Sequence, residues 1–131
     1  MFTSKYFANF LLLLCGGLCY AVPASAAGDI NAGKRVFQNC ASCHQTGAHA
    51  RHGFGPALHE FMGKKAGSSP GYAYSKAMRA SQIVWDENNL RAFLRDPAAV
   101  VPGTKMRFWG YSDEQKISDL LAYLKSQQVK K

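Results

Sequence analysis

The sequence predicts an all-α domain with about three main helices, joined by short helices and loops. Three segments carry apolar residues at helical spacing, each behind a capping residue, and the alternation typical of strands is essentially absent. A long stretch rich in Gly, Pro and Ser separates the first segment from the other two. The length of 131 residues and the 47% hydrophobic composition suit one globular domain.

The first two predicted helices begin at acidic residues. Residues 30–41 are expected to form the first helix, with Asp29 as its N-cap. The second is expected to begin after Asp86 and to end at Asp96, because Pro97 disfavours a helical conformation in the residue before it. Both helices therefore start where a carboxylate can accept a backbone N–H.

The C-terminal helix has the strongest pattern. Ser112 and Gln115 form a predicted capping-box pair. The apolar residues that follow repeat with helical spacing: Ile117, Leu120, Leu121 and Leu124. A short helix over residues 75–80 is expected to interrupt the Gly- and Pro-rich stretch.

The first 26 residues are predicted to be a signal peptide. Lys5 precedes an apolar run over residues 7–22, and Ala24-Ser25-Ala26 is a small-residue cleavage site. The alternative is an uncleaved segment that anchors the domain to a membrane. Cleavage leaves a single domain, residues 27–131, with Cys40 and Cys43 as its cysteines, and places it in the periplasm.

The charge of the chain is strongly basic, with 16 Lys and Arg against 8 Asp and Glu. Such an excess favours partners with acidic surfaces. Nucleic acid is not expected as a partner, because no recognisable nucleic-acid-binding motif accompanies the charge.

The motif Cys40-x-x-Cys43-His44 is compatible with three kinds of site. A redox dithiol is disfavoured because the motif is not set in a strand–helix–strand pattern. A structural zinc site needs four ligands, and one of His49, His52 or His59 would have to supply the fourth. The spacing favours covalent attachment of haem c, in which the two cysteines form thioether bonds to the haem and His44 is an iron ligand.

The second axial ligand decides whether the haem site is open or closed. The mature chain offers three methionines, Met62, Met78 and Met106, besides the histidines, and His49 and His52 are expected to be exposed surface residues. Met106 is favoured because "VVPGTKMRF" is a loop stiffened by proline and free to turn at glycine. The pattern alone leaves the other two methionines open.

The chain resembles the class I cytochromes c, specifically the exported bacterial relatives of mitochondrial cytochrome c. The resemblance covers essentially residues 28–128. It rests on motifs that occur in the family order, among them "GDINAGKRVFQNCASCH", "GPALH", "GYAYSKA", "VWDE", "FLRDP", "VPGTKMRF" and "DLLAYLKS". The resemblance implies a cytochrome c fold wrapped around one covalently attached haem, with the first and last helices crossing.

The resemblance also implies roles for individual residues. His44 and Met106 carry over as the axial ligands, and Pro56 as the residue whose carbonyl orients the His44 ring. Tyr74 and Trp85 match residues that hydrogen-bond a haem propionate. At the helix crossing, the match brings together Ala32 or Gly33, Phe37, Leu120 and Tyr123.

Four positions depart from the family pattern. Lys64 stands where an arginine is common, and Phe93 where a tyrosine commonly hydrogen-bonds the methionine sulfur. Met78 replaces a common polar residue, and Glu60 a common glycine. Lys64 is expected to weaken or replace a contact with a haem propionate, and Phe93 to alter the reduction potential. Met78 and Glu60 are not expected to impair haem binding but to affect the potential and the local loop geometry.

The function implied by the resemblance is a soluble periplasmic one-electron carrier rather than an enzyme. Its expected partners are quinol–cytochrome c reductase and cytochrome c oxidase, or another redox partner with an acidic surface, such as a photosynthetic reaction centre, a reductase or a periplasmic dehydrogenase. The protein is expected to be a monomer that contacts membranes only transiently. The residues expected to dock these partners are Lys34, Lys64, Lys105 and Arg107. The alternative is a small haem enzyme or gas sensor with a labile sixth ligand, which Met106 argues against.

Overall fold

A computed structural model describes residues 27–128, and the predicted signal peptide lies outside these residues. Within this range the chain forms helices and loops without a β-strand, as predicted, and two isolated bridges pair Thr46 with Leu58 and Lys65 with Val84. The helices are α1 (Ile30–Phe37), α2 (Lys76–Ala80), α3 (Glu87–Arg95), α4 (Pro97–Val100) and α5 (Glu114–Ser126). None of the described helices is long and apolar enough to cross a membrane.

Aspartates cap four of these helices. Asp29, Asp86 and Asp96 each accept a backbone N–H at the start of α1, α3 and α4. The predicted capping box of α5 is wrong by one residue: Asp113, not Ser112, accepts the N–H groups of the first turn. The Asp113 carboxylate caps this turn in place of a serine hydroxyl and adds a favourable charge at the positive end of the helix dipole.

Two helix boundaries also differ from the prediction. The first helix ends at Phe37 instead of residue 41, because the Cys40 N–H bonds to the Phe37 carbonyl three residues back, at 2.8 Å, and tightens the backbone into turns. Pro97 ends α3 as expected but also begins α4. Proline is accommodated at the first position of a helix because a backbone N–H at this position would have no hydrogen-bond partner within the helix.

The N-terminal helix crosses α5 at very short range. A Cβ atom on Gly33 would lie 1.9 Å from the Asp119 carbonyl oxygen, so the backbones touch. Phe37 packs against Tyr123 with ring centroids 5.3 Å apart. Asp119, which is buried, accepts the Asp29 N–H at 2.8 Å and so fixes the start of α1. The predicted crossing is therefore confirmed.

Two apolar clusters form the core. The larger joins α1, α3 and α5 and contains Phe37, Leu90, Leu94, Ile117, Leu120, Leu121 and Leu124. The smaller contains Ala66, Met78, Phe93 and Val101, with Met106 packed against it. Trp85 contacts both clusters. A cavity lies beside these clusters.

An ion pair between α3 and α5 predicts a pH-dependent contribution to stability. Hydrogen bonds from Lys125 and Arg91 lower the pKa of Glu87 below its ordinary value of 4.5. A lowered folded-state pKa means that the stabilisation is present above about pH 4.5 and is lost as the pH falls through the folded-state value. Because Glu87 is largely exposed, we expect Glu87→Gln to cost only about 0.5 kcal/mol at pH 7.

Urea unfolding of both proteins at pH 7 and pH 3 checks this expectation. The difference between the two free energies of unfolding should be smaller at pH 3 than at pH 7. An equal difference at both pH values would show that packing, not charge, explains the effect.

Candidate functional site

A cavity of about 600 Å³ opens beside the core. This volume is within the range of small-molecule and cofactor sites. Buried apolar side chains from three helices form its inner wall, namely Phe37, Leu90, Phe93, Leu94, Leu120 and Leu124. Cys40, Cys43, His44 and Met106 all line it. The fold therefore brings residues from both ends of the domain into one cavity.

His44 is oriented by a backbone carbonyl. Its Nδ1 lies 2.8 Å from the Pro56 oxygen. A carbonyl only accepts, so Nδ1 carries the proton and donates it, and the neutral ring keeps its lone pair on Nε2. Burial lowers the pKa of His44, and the bond to Pro56 offsets this in part. The structure thus holds a neutral imidazole, which is the form that ligates metals.

The two cysteines lie in the turns that follow α1. The His44 N–H bonds to the Cys40 carbonyl at 2.9 Å, and this bond sets the histidine directly against the cysteine pair. Burial and the neighbouring Cys43 raise the pKa of the Cys40 thiol, whereas reactive dithiols depend on a lowered pKa. The redox-dithiol interpretation is therefore disfavoured.

Zinc is disfavoured by the arrangement of ligands. Among residues 27–128, no three His, Cys, Asp or Glu side chains come together as a possible metal site. A structural zinc site needs four such ligands. The three histidines proposed as a fourth ligand do not complete a set around the cysteines.

The structure separates the three candidate methionines. Met62 packs against the larger cluster and does not line the cavity, whereas Met78 and Met106 both line it. Met78 belongs to α2 and is only 8% exposed within the smaller cluster. Met106 lies in a non-helical loop and is half-buried.

The loop that carries Met106 is held on both sides. Before it, the Thr104 hydroxyl accepts the Met106 N–H at 3.2 Å. After it, Gly110 adopts φ +90° with its Cα against the Arg95 carbonyl, where a Cβ atom would lie 1.9 Å from the oxygen. The Tyr111 N–H bonds to the Leu94 carbonyl at 2.9 Å. The C-terminal end of α3 thus fixes the direction in which the loop presents Met106.

Tyr74 and Trp85 also line the cavity. Burial raises the pKa of Tyr74, and a hydrogen bond with Ser69 offsets this in part. The Tyr74 phenol therefore stays protonated and can donate. Trp85 packs edge-on against Phe93, with centroids 5.1 Å apart.

His52 is not the exposed residue that the sequence suggested. Its ring is half-buried; Nδ1 accepts the Ala57 N–H at 3.0 Å, and Nε2 lies 2.9 Å from the Pro70 carbonyl oxygen. His52 thus bridges two loops, and no local pattern signals a partner that lies 18 residues away. His49, in contrast, is exposed, as predicted.

Three of the four basic residues predicted to dock a partner border the cavity, namely Lys64, Lys105 and Arg107. Lys34 is exposed on α1 and does not line it. Lys64 lies 3.8 Å from Glu60, and Lys105 donates to the Ala73 carbonyl at 3.1 Å. Both lysines remain largely exposed, so their charges face solvent.

Two of the departures from the family pattern have structural consequences. Glu60 adopts φ +48°, the left-handed region in which glycine costs least. Phe93 is buried in the cluster that Met106 packs against and offers no hydroxyl there.

Comparisons with known proteins agree with this geometry. The family model for cytochrome c matches residues 30–128. The chain belongs to the cytochrome c family. It is 44% identical to cytochrome c2 of Rhodomicrobium vannielii over 117 residues, which is 89% of this chain and 94% of the relative. It is 45% identical to cytochrome c2 of Blastochloris viridis over 108 residues, covering 82% and 85% of the two chains.

A solved structure extends the likeness to the fold. Cytochrome cH from Methylobacterium extorquens superposes with a TM-score of 0.70 at 44% identity and covers 76% of this chain and 99% of that one. The all-α cytochrome c fold is therefore confirmed. As a member of this family, the chain is a haem- and iron-binding electron-transport protein.

The residues around the cavity fit a haem group. A Cβ atom on Gly55 would lie 2.4 Å from Cε1 of His44, so the glycine leaves the space that the imidazole fills. Among the described side chains, His59 has a buried Nδ1 without a hydrogen-bond partner, and this residue lines the cavity. An apolar wall with a small number of polar groups is typical of a cofactor site.

Gly55→Ala is expected to displace the His44 ring from the Pro56 carbonyl. The added methyl group overlaps the ring, and Gly55 cannot retreat because its own N–H bonds to the Cys43 carbonyl at 2.8 Å. We expect a loss of about 2–3 kcal/mol in stability and a changed ferric spectrum. Gly63→Ala is a useful control: no atom lies within 4 Å of the added methyl, although φ is +76°.

Chemical denaturation together with absorption spectra of both variants makes the test. The control should lose stability through backbone strain but keep the wild-type spectrum. A wild-type spectrum in Gly55→Ala would show that the ring is not confined as described.

Proposed function

We propose that the protein is a periplasmic one-electron carrier with a single haem c, bound through Cys40 and Cys43 and ligated by His44 and Met106. The observation that carries the proposal is that His44 and Met106 line the same cavity. The Pro56 carbonyl accepts a hydrogen bond from the His44 ring, and the Thr104 hydroxyl accepts one from the Met106 N–H. Two strong protein ligands favour electron transfer over the binding of small molecules.

The bound haem iron supplies the chemistry by cycling between the ferrous and ferric states. The chain itself contributes rigidity. Pro56 holds His44 as a neutral ligand, and the C-terminal end of α3 holds the Met106 loop. Ligation by the Met106 sulfur and an apolar cavity wall raise the reduction potential, since both disfavour the additional charge of the oxidised state.

The proposed location and partners rest on the N-terminal segment and on the relatives. Residues 1–26 have the pattern of a cleaved signal peptide, which would deliver residues 27–131 to the periplasm. Several relatives are named cytochrome c2. We propose quinol–cytochrome c reductase as the electron donor and cytochrome c oxidase as the acceptor, both contacted through the basic residues around the cavity, without a role for nucleic acid.

The purified mature protein tests the proposal in three steps. Haem staining of a denaturing gel should be positive for the wild type and lost in a Cys40→Ser/Cys43→Ser variant. The ferric spectrum should be low-spin, with a sulfur-to-iron charge-transfer band. Oxidation by cytochrome c oxidase should slow as salt increases. A high-spin native spectrum would overturn the carrier assignment and favour an enzyme or gas sensor.

Phe93→Tyr is expected to change the reduction potential. Phe93 is buried in the cluster that contacts Met106, so a hydroxyl at this position would lie in the apolar surroundings of the proposed ligand. A hydrogen bond near an axial ligand alters the relative stability of the two oxidation states. Potentiometric titration of both proteins measures the change. Phe61→Tyr is the control: Phe61 also lines the cavity but packs against the larger cluster, away from the one that contacts Met106, so its potential should change less. An unchanged potential in Phe93→Tyr would contradict the expectation.

A further inference from the structure

Two aromatic side chains are almost completely exposed, one in the lining of the cavity and one next to a lining residue in the sequence. Phe54, which lines the cavity, is 90% exposed, and Trp109, next to the cavity-lining Phe108, is 100% exposed. Tryptophan is seldom left uncovered, because it loses a large favourable burial term. We call Phe54, Lys105, Arg107 and Trp109 the rim patch.

The residues on either side of Trp109 are packed against the rest of the domain. On one side Phe108 packs edge-on against Tyr111, with centroids 4.9 Å apart. On the other side Gly110 is packed against the Arg95 carbonyl and cannot move towards it. The backbone on both sides of Trp109 is therefore held in place by packing. Because the indole is fully exposed, a partner that covers it buries a large apolar area.

The charges around the patch have one sign. No Asp or Glu occurs from residue 61 to 85 or from 97 to 112, whereas these two segments contain six Lys and Arg residues. Seven of the eight acidic residues lie at helix caps, in first turns or on α5, and only Glu60 lines the cavity. The charge distribution thus favours a partner surface that is acidic where it meets the rim.

We propose that Trp109, with Phe54 beside the cavity, is the apolar anchor that docks an acidic redox protein, whose contact surface has an apolar recess bordered by carboxylates. The inference rests on the proposed function, since it names the contact through which the carrier meets its partner. A protein fits better than a lipid surface, because electron transfer requires the partner itself to cover the cavity mouth. Tryptophan and arginine dominate the binding energy of protein interfaces, whereas rim charges mainly set the rate of encounter.

The test compares the haem-loaded Trp109→Ala and Lys105→Gln variants as substrates for purified cytochrome c oxidase over a range of ionic strength. Trp109→Ala should lower kcat/KM about tenfold with an unchanged salt dependence, because no charge is removed. Lys105→Gln should make kcat/KM less sensitive to salt. Ile30→Ala is the matched control: Ile30 is 50% exposed on α1 and does not line the cavity, so its kcat/KM should equal that of the wild type.

Further measurements separate the possible results. Reduction of Trp109→Ala by ascorbate and its thermal unfolding should match those of the wild type. A kcat/KM within twofold of the wild type overturns the inference while leaving the carrier function intact. The inference is also overturned if oxidase turnover is unchanged in Trp109→Ala and the residue instead supports another contact. That contact would be a Trp109-dependent dimer in sedimentation velocity, or Trp109-dependent binding to anionic phosphatidylglycerol vesicles. A wild-type protein that the oxidase does not oxidise would overturn both the inference and the proposed function.

Discussion

Met106→Ala is expected to abolish the sulfur-to-iron charge-transfer band and to lower the reduction potential by roughly 0.2 V, a fraction of the roughly 0.8 V range that axial ligation spans. The side chain lies in a loop held by Thr104 and Gly110, so alanine removes the sulfur from a fixed position in the cavity lining. The opened position should then bind added imidazole or carbon monoxide. Absorption spectroscopy and potentiometry measure these effects.

Met78→Leu is the matched control for this experiment. Met78 also lines the cavity but is buried on α2, and leucine conserves most of its volume. The variant should keep the band and a potential close to that of the wild type. If the band survives in Met106→Ala and disappears in Met78→Leu, the ligand assignment is wrong and Met78 is the ligand.

Gly33→Ala is expected to destabilise the protein by about 3 kcal/mol or more, which corresponds to a fall in Tm on the order of 15 °C. The new Cβ atom would lie 1.9 Å from the Asp119 carbonyl oxygen and 2.7 Å from Cβ of Tyr123. Neither helix backbone can yield without losing the Phe37–Tyr123 contact and the Asp119 bond to the start of α1. Thermal and urea unfolding of the haem-loaded protein, with the yield of haem-stained protein, measure the loss.

The sign of this effect distinguishes packing from helix propensity. In an isolated helix the same substitution would stabilise by about 1 kcal/mol. Gly53→Ala serves as the control, because its added methyl would meet nothing closer than the Cys43 carbonyl at 3.5 Å and the residue is exposed. A stability of Gly33→Ala at or above that of the wild type would mean that α1 and α5 are not in contact as described.

Much of the helical framework could be predicted because its signals are local. Asp29 and Asp86 each cap a helix within three residues of themselves, and the apolar spacing of α5 identifies its buried face. The errors occurred where two local signals competed. Ser112 and Asp113 are adjacent and both favour helix starts, and the carboxylate is the one that caps. Pro97 ends one helix and begins another, since proline is compatible with both positions.

Part of the site was also readable from the sequence, because the attachment motif is contiguous. Cys40, Cys43 and His44 are neighbours in the chain, and the resemblance to the family extended the prediction to Pro56 and Met106. The role of His52 could not be predicted, because its partner Pro70 is 18 residues away in the chain and the residues around His52 give no sign that it is partly buried.

The helical class, the haem-attachment motif and the basic charge follow from the sequence alone, since each depends on residue type and near-neighbour spacing. Three properties follow only from the packing of the folded chain: which methionines reach the cavity, why Gly33 and Gly55 tolerate no side chain, and that Trp109 is left exposed. These properties depend on contacts between segments far apart in the chain, such as Gly110 with the end of α3. Such contacts are set by how the elements pack, so no local pattern encodes them.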